Sequence, residues 1–234
     1  MRILLLLLEE KPLQYQGLES EKINMEYLKK YFVSYFVRRS FLLIFLGISS
    51  IILGACSPIK TPTISQYTLT QVNTDTVHAP YKGKTVLITT PIAEPAYTTS
   101  KMAYVKKPYQ IQYYAQNKWI SAPAHLMAPL IVASLQHTNH FRQVVAAPYT
   151  GRSDYRIDTQ LLTFEQDFMQ NPSEFKLTVR FNIINNTTQT LVASKIFNTI
   201  ATAPGDDAYS GVIAANRAMA DMLGKMAQFV VKTI

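Results

Sequence analysis

The sequence predicts an α/β (α+β) sandwich: a mostly antiparallel mixed sheet of six or seven strands with two main helices packed on it. Three observations carry that expectation. In "EFKLTVRFNII", Phe175, Leu177, Val179, Phe181 and Ile183 alternate strictly with Lys176, Thr178, Arg180 and Asn182. That is the period of a strand with one buried and one solvated face. From Asp207 to Ile234, Val212, Met219 and Met226 recur at heptad spacing with Ala215, Met222 and Phe229 between them, one apolar stripe of a helix. Short β-branched and aromatic runs also stand both before and after a second helical stretch.

Taken in order, "YTLT" (Tyr67–Thr70) and "TVLITT" (Thr85–Thr90) read as strands. "KMAYV" and "YQIQYYAQNKWI" are separated by Lys106-Lys107-Pro108, which suits a hairpin or bulged turn. In the second run Tyr109, Ile111 and Tyr113 share one face, opposite Gln110, Gln112 and Tyr114. Ser121 is placed to cap a helix, with Pro123 in its first turn. Leu126, Leu130, Ile131 and Leu135 give that helix an apolar stripe reaching Asn139, and Pro129 inside it predicts a kink or a short first turn before it. "FRQVVAA" and "DYRIDTQLLTFEQDF" are further strands, and "NNTTQ" turns the chain from "EFKLTVRFNII" into its hairpin partner "TLVASKIFNTIATA".

The N-terminal quarter has a different character. From Met25, four basic residues (Lys29, Lys30, Arg38, Arg39) precede an apolar core from Phe41 to Leu53. This is the order of a bacterial secretory signal, and the core is shorter than the ~20 residues a spanning helix needs. Leu53, Gly54 and Ala55 then lead into Cys56, the single cysteine, as a lipobox does. Small residues admit the backbone to the peptidase cleft, and the thiol receives a diacylglyceryl group, followed by an N-acyl chain once the new N-terminus is free. A thiol so used is neither a nucleophile nor a disulfide partner.

The expected organisation is a signal peptide over 25–55, a lipidated tether over 56–65 ("CSPIKTPTIS") and a single periplasmic domain over 66–234. Residues 1–24 carry Glu9, Glu10, Glu19 and Glu21 ahead of the basic region, unusual for an exported protein. Translation from Met25 is therefore expected, with 1–24 a misassigned start. Arg38-Arg39-Ser40-Phe41-Leu42 resembles a twin-arginine core, but no cofactor-binding pattern follows it, and ordinary Sec export is the reading. Ser57, rather than Asp, follows the cysteine and points to the outer membrane.

Composition excludes several classes. The 234 residues carry 23 Lys/Arg against 15 Asp/Glu, a net charge of +8, with no basic block of the kind that grips nucleic acid. There is no G-x-S-x-G elbow, Walker loop or G-x-G-x-x-G. His137 and His140 read as surface histidines at a helix end, His125 and His78 have no visible partners, and no metal site is expected. Glu165 and Asp167, flanked by Phe164 and Phe168, share a strand face that reads as solvated rather than catalytic. Asn185 and Asn186 open N-x-T sequons, which a bacterial lipoprotein leaves unglycosylated. Tyr113, Tyr114 and Trp119 are candidates for a partner or lipid-contact surface, since amphipathic rings favour interfaces, with ordinary strand packing as the plainer alternative.

Four stretches together resemble the ABC-type transport auxiliary lipoprotein family, of the outer-membrane type found in paraquat-inducible transport systems. They are Tyr67-Thr68-Leu69, "VLITTPIAEPAYTTSKMAYV", "IQYYAQNKWISAPAHLMAPLIVASL" and "DYRIDTQLLTFEQDF". The resemblance implies a non-enzymatic accessory subunit, anchored through Cys56 at the periplasmic face of the outer membrane. Its implied partners are an ABC permease and ATPase and an MCE-domain protein that move lipids or other hydrophobic molecules. It supplies no catalytic residues, and it leaves a homo-oligomer open. A lipoprotein docking a different envelope machine, such as a peptidoglycan synthase or secretion apparatus, is the alternative, and an envelope hydrolase the third.

Overall fold

The computed structural model describes residues 29–41, 62–72 and 80–234. Cys56 with its lipobox residues Leu53, Gly54 and Ala55, the start-site question and His78 lie outside them. Residues 29–41 are helical (α1), are described by themselves, and carry the basic residues ahead of the apolar core. No described helix is long and apolar enough to cross a membrane.

The unit from Pro62 onward is a mixed α+β domain built on a long three-stranded antiparallel meander. Its strands are β7 (Tyr155–Asp167), β8 (Glu174–Asn185) and β9 (Thr190–Thr202). The free side of β7 is shared end to end by three shorter parallel strands. β2 (Thr85–Ile88) docks at its start, β3 (Ile92–Ala93) at its middle and β4 (Lys101–Lys107) at its end. β6 (Gln143–Ala146) extends β2, while β5 (Gln110–Trp119) and β1 (Ser65–Tyr67) extend β4. The sheet thus forks at β7 into two wings. It has nine strands rather than six or seven, and the two-residue β3 is too short to leave a periodic signal.

Alternation places β8 as read. Phe175, Leu177, Val179, Phe181 and Ile183 are all buried, beneath α3 (Ala208–Thr233). The α3 stripe is also as read, but wider. Ala214, Ala218, Leu223, Ala227 and Val230 are buried too, because α2 (Pro123–Gln136) packs on its flank, where Ser134 Oγ donates to the Leu223 carbonyl at 3.3 Å. Methionines at 219, 222 and 226 fill the irregular space between sheet and helix.

Four local expectations are corrected. The N-cap of α2 is Ala122, not Ser121, because Pro123 occupies the first helical position and Ser121 falls one residue too early. The helix runs through Pro129 but stops at Gln136, and Asn139 (φ 51°) turns the chain inward. That turn buries His140 edge-on against Phe141 at 4.8 Å, so it is not a surface histidine; His137 and His125 are exposed. The first strand ends at Tyr67 instead of running to Thr70. Beyond it, Asn216 of α3 takes over the backbone: its Oδ1 accepts from the Thr70 and Gln71 amides (2.9 and 3.3 Å) and its Nδ2 donates to the Thr68 carbonyl (3.3 Å).

Candidate functional site

The β4–β5 hairpin turns through Tyr109, whose positive φ (65°) sets its ring fully in solvent. Period 2 along β5 then sends Tyr113 and Tyr114 to opposite faces. Tyr113 stays partly exposed, beside Ile111, with its hydroxyl donating to the Ala96 carbonyl at 3.1 Å. The Lys101 ammonium lies 5.5 Å from its ring centroid. Tyr114 points into the sheet–helix junction, 4.7 Å from the Tyr104 ring. Trp119 is 1% exposed and packs 5.3 Å from Phe164. The three rings therefore form no common surface: Tyr113 alone faces outward, Tyr114 serves the junction, and Trp119 is core.

Tyr114 belongs to a polar network that closes the start of α3. Its hydroxyl donates to Gln166 Oε1 at 3.0 Å, and Gln166 Nε2 donates to Ser173 Oγ (2.9 Å) and the Asp207 carbonyl (3.2 Å). Ser173 donates through N to Asp206 and through Oγ to the Gly205 carbonyl. Asp207 caps the helix by accepting from the Ser210 amide at 2.8 Å, which holds its carboxyl below the usual range. Burial raises the Tyr114 phenol well above its ordinary value, so it holds its proton at neutral pH. Every polar group in this network is satisfied by another, which makes it a brace.

Glu165 and Asp167 share a face but not a solvated one. The turn Pro95–Tyr97 folds over it, and the Tyr97 hydroxyl donates to Glu165 Oε2 at 2.6 Å. Asp167 is buried, ion-paired to Lys176 at 2.5 Å and bonded to the Met169 amide at 2.7 Å. Burial, and then the bond to Glu165, push the Tyr97 hydroxyl upward. The Asp167 bond likewise raises Lys176. Both carboxylates are committed to structural partners. Among the described residues no cluster of His, Cys, Asp and Glu could hold a metal.

Among the described residues, two grooves are open. One, about 790 Å³, lies at the β2–β7 end and is lined by Arg142, Arg152, Asp154 and Asn186 among others. There Arg142 donates through Nε and Nη2 to Thr85 Oγ1, and the Thr85 amide holds the Asp154 carboxyl below its usual range. The other, about 440 Å³, runs between β9 and α3, lined by Lys195, Phe197, Lys225, Gln228, Phe229 and Lys232. Sequence reading missed both. Arg142 and Arg152 come from separate loops and leave no local pattern. Lys225, Gln228, Phe229 and Lys232 do share one helical stripe at spacings of three and four, but nothing in the sequence says what that stripe faces.

A family model described as "ABC-type transport auxiliary lipoprotein component" matches residues 67–227. Among solved structures, a Xanthomonas campestris protein assigned to family DUF330 superposes with a TM-score of 0.67 at 17% identity, covering 72% of this chain and 96% of its own. A second, described as an uncharacterized protein, gives 0.58 at 14% identity, covering 72% and 99%. At these identities both show the fold. No curated protein matches the sequence.

Proposed function

The chain belongs to the family of ABC-type transport auxiliary lipoprotein components, and from that footing we propose that it is the docking subunit of an MCE-type envelope transporter. In this reading the diacylglyceryl and N-acyl chains on Cys56 hold the domain at the periplasmic face of the outer membrane. The domain engages an MCE-domain protein and, through it, an ABC permease and ATPase that move lipids or other hydrophobic molecules. It contributes binding rather than catalysis.

The observation that supports this most is the family match, which runs from the end of β1 nearly to the end of α3. The lipobox register at Leu53-Gly54-Ala55-Cys56 supports the anchor, and Ser57 the outer membrane. The geometry favours docking over chemistry: the paired carboxylates and the buried tyrosines are held by structural partners, and both grooves are open clefts.

Affinity capture of the full lipidated chain from detergent extracts tests the reading. Recovery of an MCE-domain protein together with an ABC ATPase is the expected result. Recovery of a peptidoglycan synthase or secretin alone would overturn it in favour of a different envelope machine.

A further inference from the structure

β9 is the outermost strand of the meander: it pairs with β8 along its length, and among the described residues no strand pairs with its other side. Every second residue of such a strand turns its N–H and C=O away from the sheet. Edges of this kind are ordinarily kept short, broken by proline, or studded with charge. β9 runs thirteen residues, Thr190–Thr202, without Pro or Gly, and Lys195 is its single charged residue.

The two faces flanking this edge differ in chemistry. On the helix-free face, Ile196 and Ile200 are 45% and 58% exposed, register partners of Arg180 and Lys176 on β8. On the helix face the edge opens into the β9–α3 groove. There the Lys195 ammonium lies 5.1 Å and 5.6 Å from the Phe197 and Phe229 ring centroids. Lys225 and Lys232 project from the same helix stripe as Phe229. Asp221 offsets Lys225 at 2.7 Å, so the groove carries a clear positive excess and no acidic lining residue.

We propose that β9 accepts an added strand from a partner protein, an extended segment in which apolar and acidic residues alternate. Period 2 matches the two chemistries. Side chains on one face of the added strand meet Ile196 and Ile200, and those on the other enter the groove toward Lys195, Lys225 and Lys232. Lys225 and Lys232 stand two turns apart, ~10 Å along the helix axis. Two successive inward positions of a strand, ~7 Å apart, lie within the reach of those long side chains. A second copy of this chain is the wrong occupant, since edge-to-edge pairing of two β9 strands brings two lysine-lined grooves together. Lys195 thus deters self-pairing and recruits an acidic strand by the same charge. The proposal rests on the docking-subunit reading and names the chemistry of the docked segment.

The test uses the full lipidated chain in detergent and a fluorescent ten-residue peptide alternating Val and Glu. Saturable binding is expected, weakened by salt. It should fall roughly fivefold in a Lys225→Gln/Lys232→Gln variant, whose surface changes leave the strand and core intact. A Val–Lys peptide, and a Val–Glu peptide N-methylated at every nitrogen, should not bind. No binding by the Val–Glu peptide, equal binding by either control, or self-association through β9 that the peptide cannot displace would each overturn the proposal. If peptide binding fails while the full chain still captures the transporter components, this inference falls and the docking-subunit reading stands. If capture fails as well, both fall.

Discussion

The Tyr114 hydroxyl donates to Gln166 Oε1 at 3.0 Å, while Tyr113, its neighbour in sequence, bonds the Ala96 carbonyl on the opposite face of β5. Gln166 is 1% exposed, so Tyr114→Phe leaves a buried acceptor without that partner, and the expected loss is ~1–2 kcal/mol. Tyr113→Phe removes a bond that water can replace, and the expected loss is below ~0.5 kcal/mol. Denaturant unfolding of the two variants checks the contrast. Equal destabilisation would mean the network is not the brace described.

Why the tyrosines divide this way bears on what a sequence can reveal. Alternation along β5 put Tyr113 and Tyr114 on opposite faces from the start, but period 2 cannot say which face a helix covers. Trp119 was ambiguous for the same reason: an amphipathic ring serves an interface or a core, and only the approach of Phe164 from β7 decided it. By contrast, β8 and α3 were legible because their own side chains alternate or recur over many residues, and burial followed that period. Contacts made by residues far apart in sequence leave no such trace. Tyr97 over Glu165 and Lys195 over Phe229 are of this kind, and so is the parallel docking of β2, β3 and β4 along β7.

Asn216 stands in for the sheet ladder that β1 lacks past Tyr67. Asn216→Ala removes the acceptor for the Thr70 and Gln71 amides and the donor to the Thr68 carbonyl. Residues 68–71 should then open locally ahead of global unfolding. Hydrogen exchange at the Thr70 and Gln71 amides should speed up by at least tenfold, with the β8 amides unchanged at conditions where the domain is folded. Unchanged protection at Thr70 would show that Leu69, buried in the core, holds the segment alone.

Asp207 gives the helix start a pH dependence of known sign. Its carboxyl is held below the usual range chiefly by the Ser210 amide, then by the Ser210 hydroxyl. The stabilisation is therefore fully present above the unfolded Asp value, ~3.9, and is lost as pH falls through the lower folded value. Asp207→Ala should cost ~1 kcal/mol at neutral pH, the ordinary worth of an N-cap. Asp207→Asn keeps the cap without the charge. Its melting temperature should lie slightly below that of the unchanged protein at pH 7, and the two should converge in acid. A gap that widened as pH fell would contradict the assignment.

The proposed anchor depends on Cys56, and its chemistry makes the outcome sharp. Lipoprotein signal peptidase acts after the thiol has received its diacylglyceryl group, so Cys56→Ala removes both the lipid and the cleavage step. The variant should accumulate at precursor mass with Leu53, Gly54 and Ala55 still attached, and should take up no labelled palmitate. The residues that build the sheet and helices are untouched by the change, so the domain should retain its protease resistance while failing to fractionate as a mature lipoprotein. Palmitate incorporation at the normal level in this variant would show that acylation does not occur at Cys56 and that the lone cysteine is incidental.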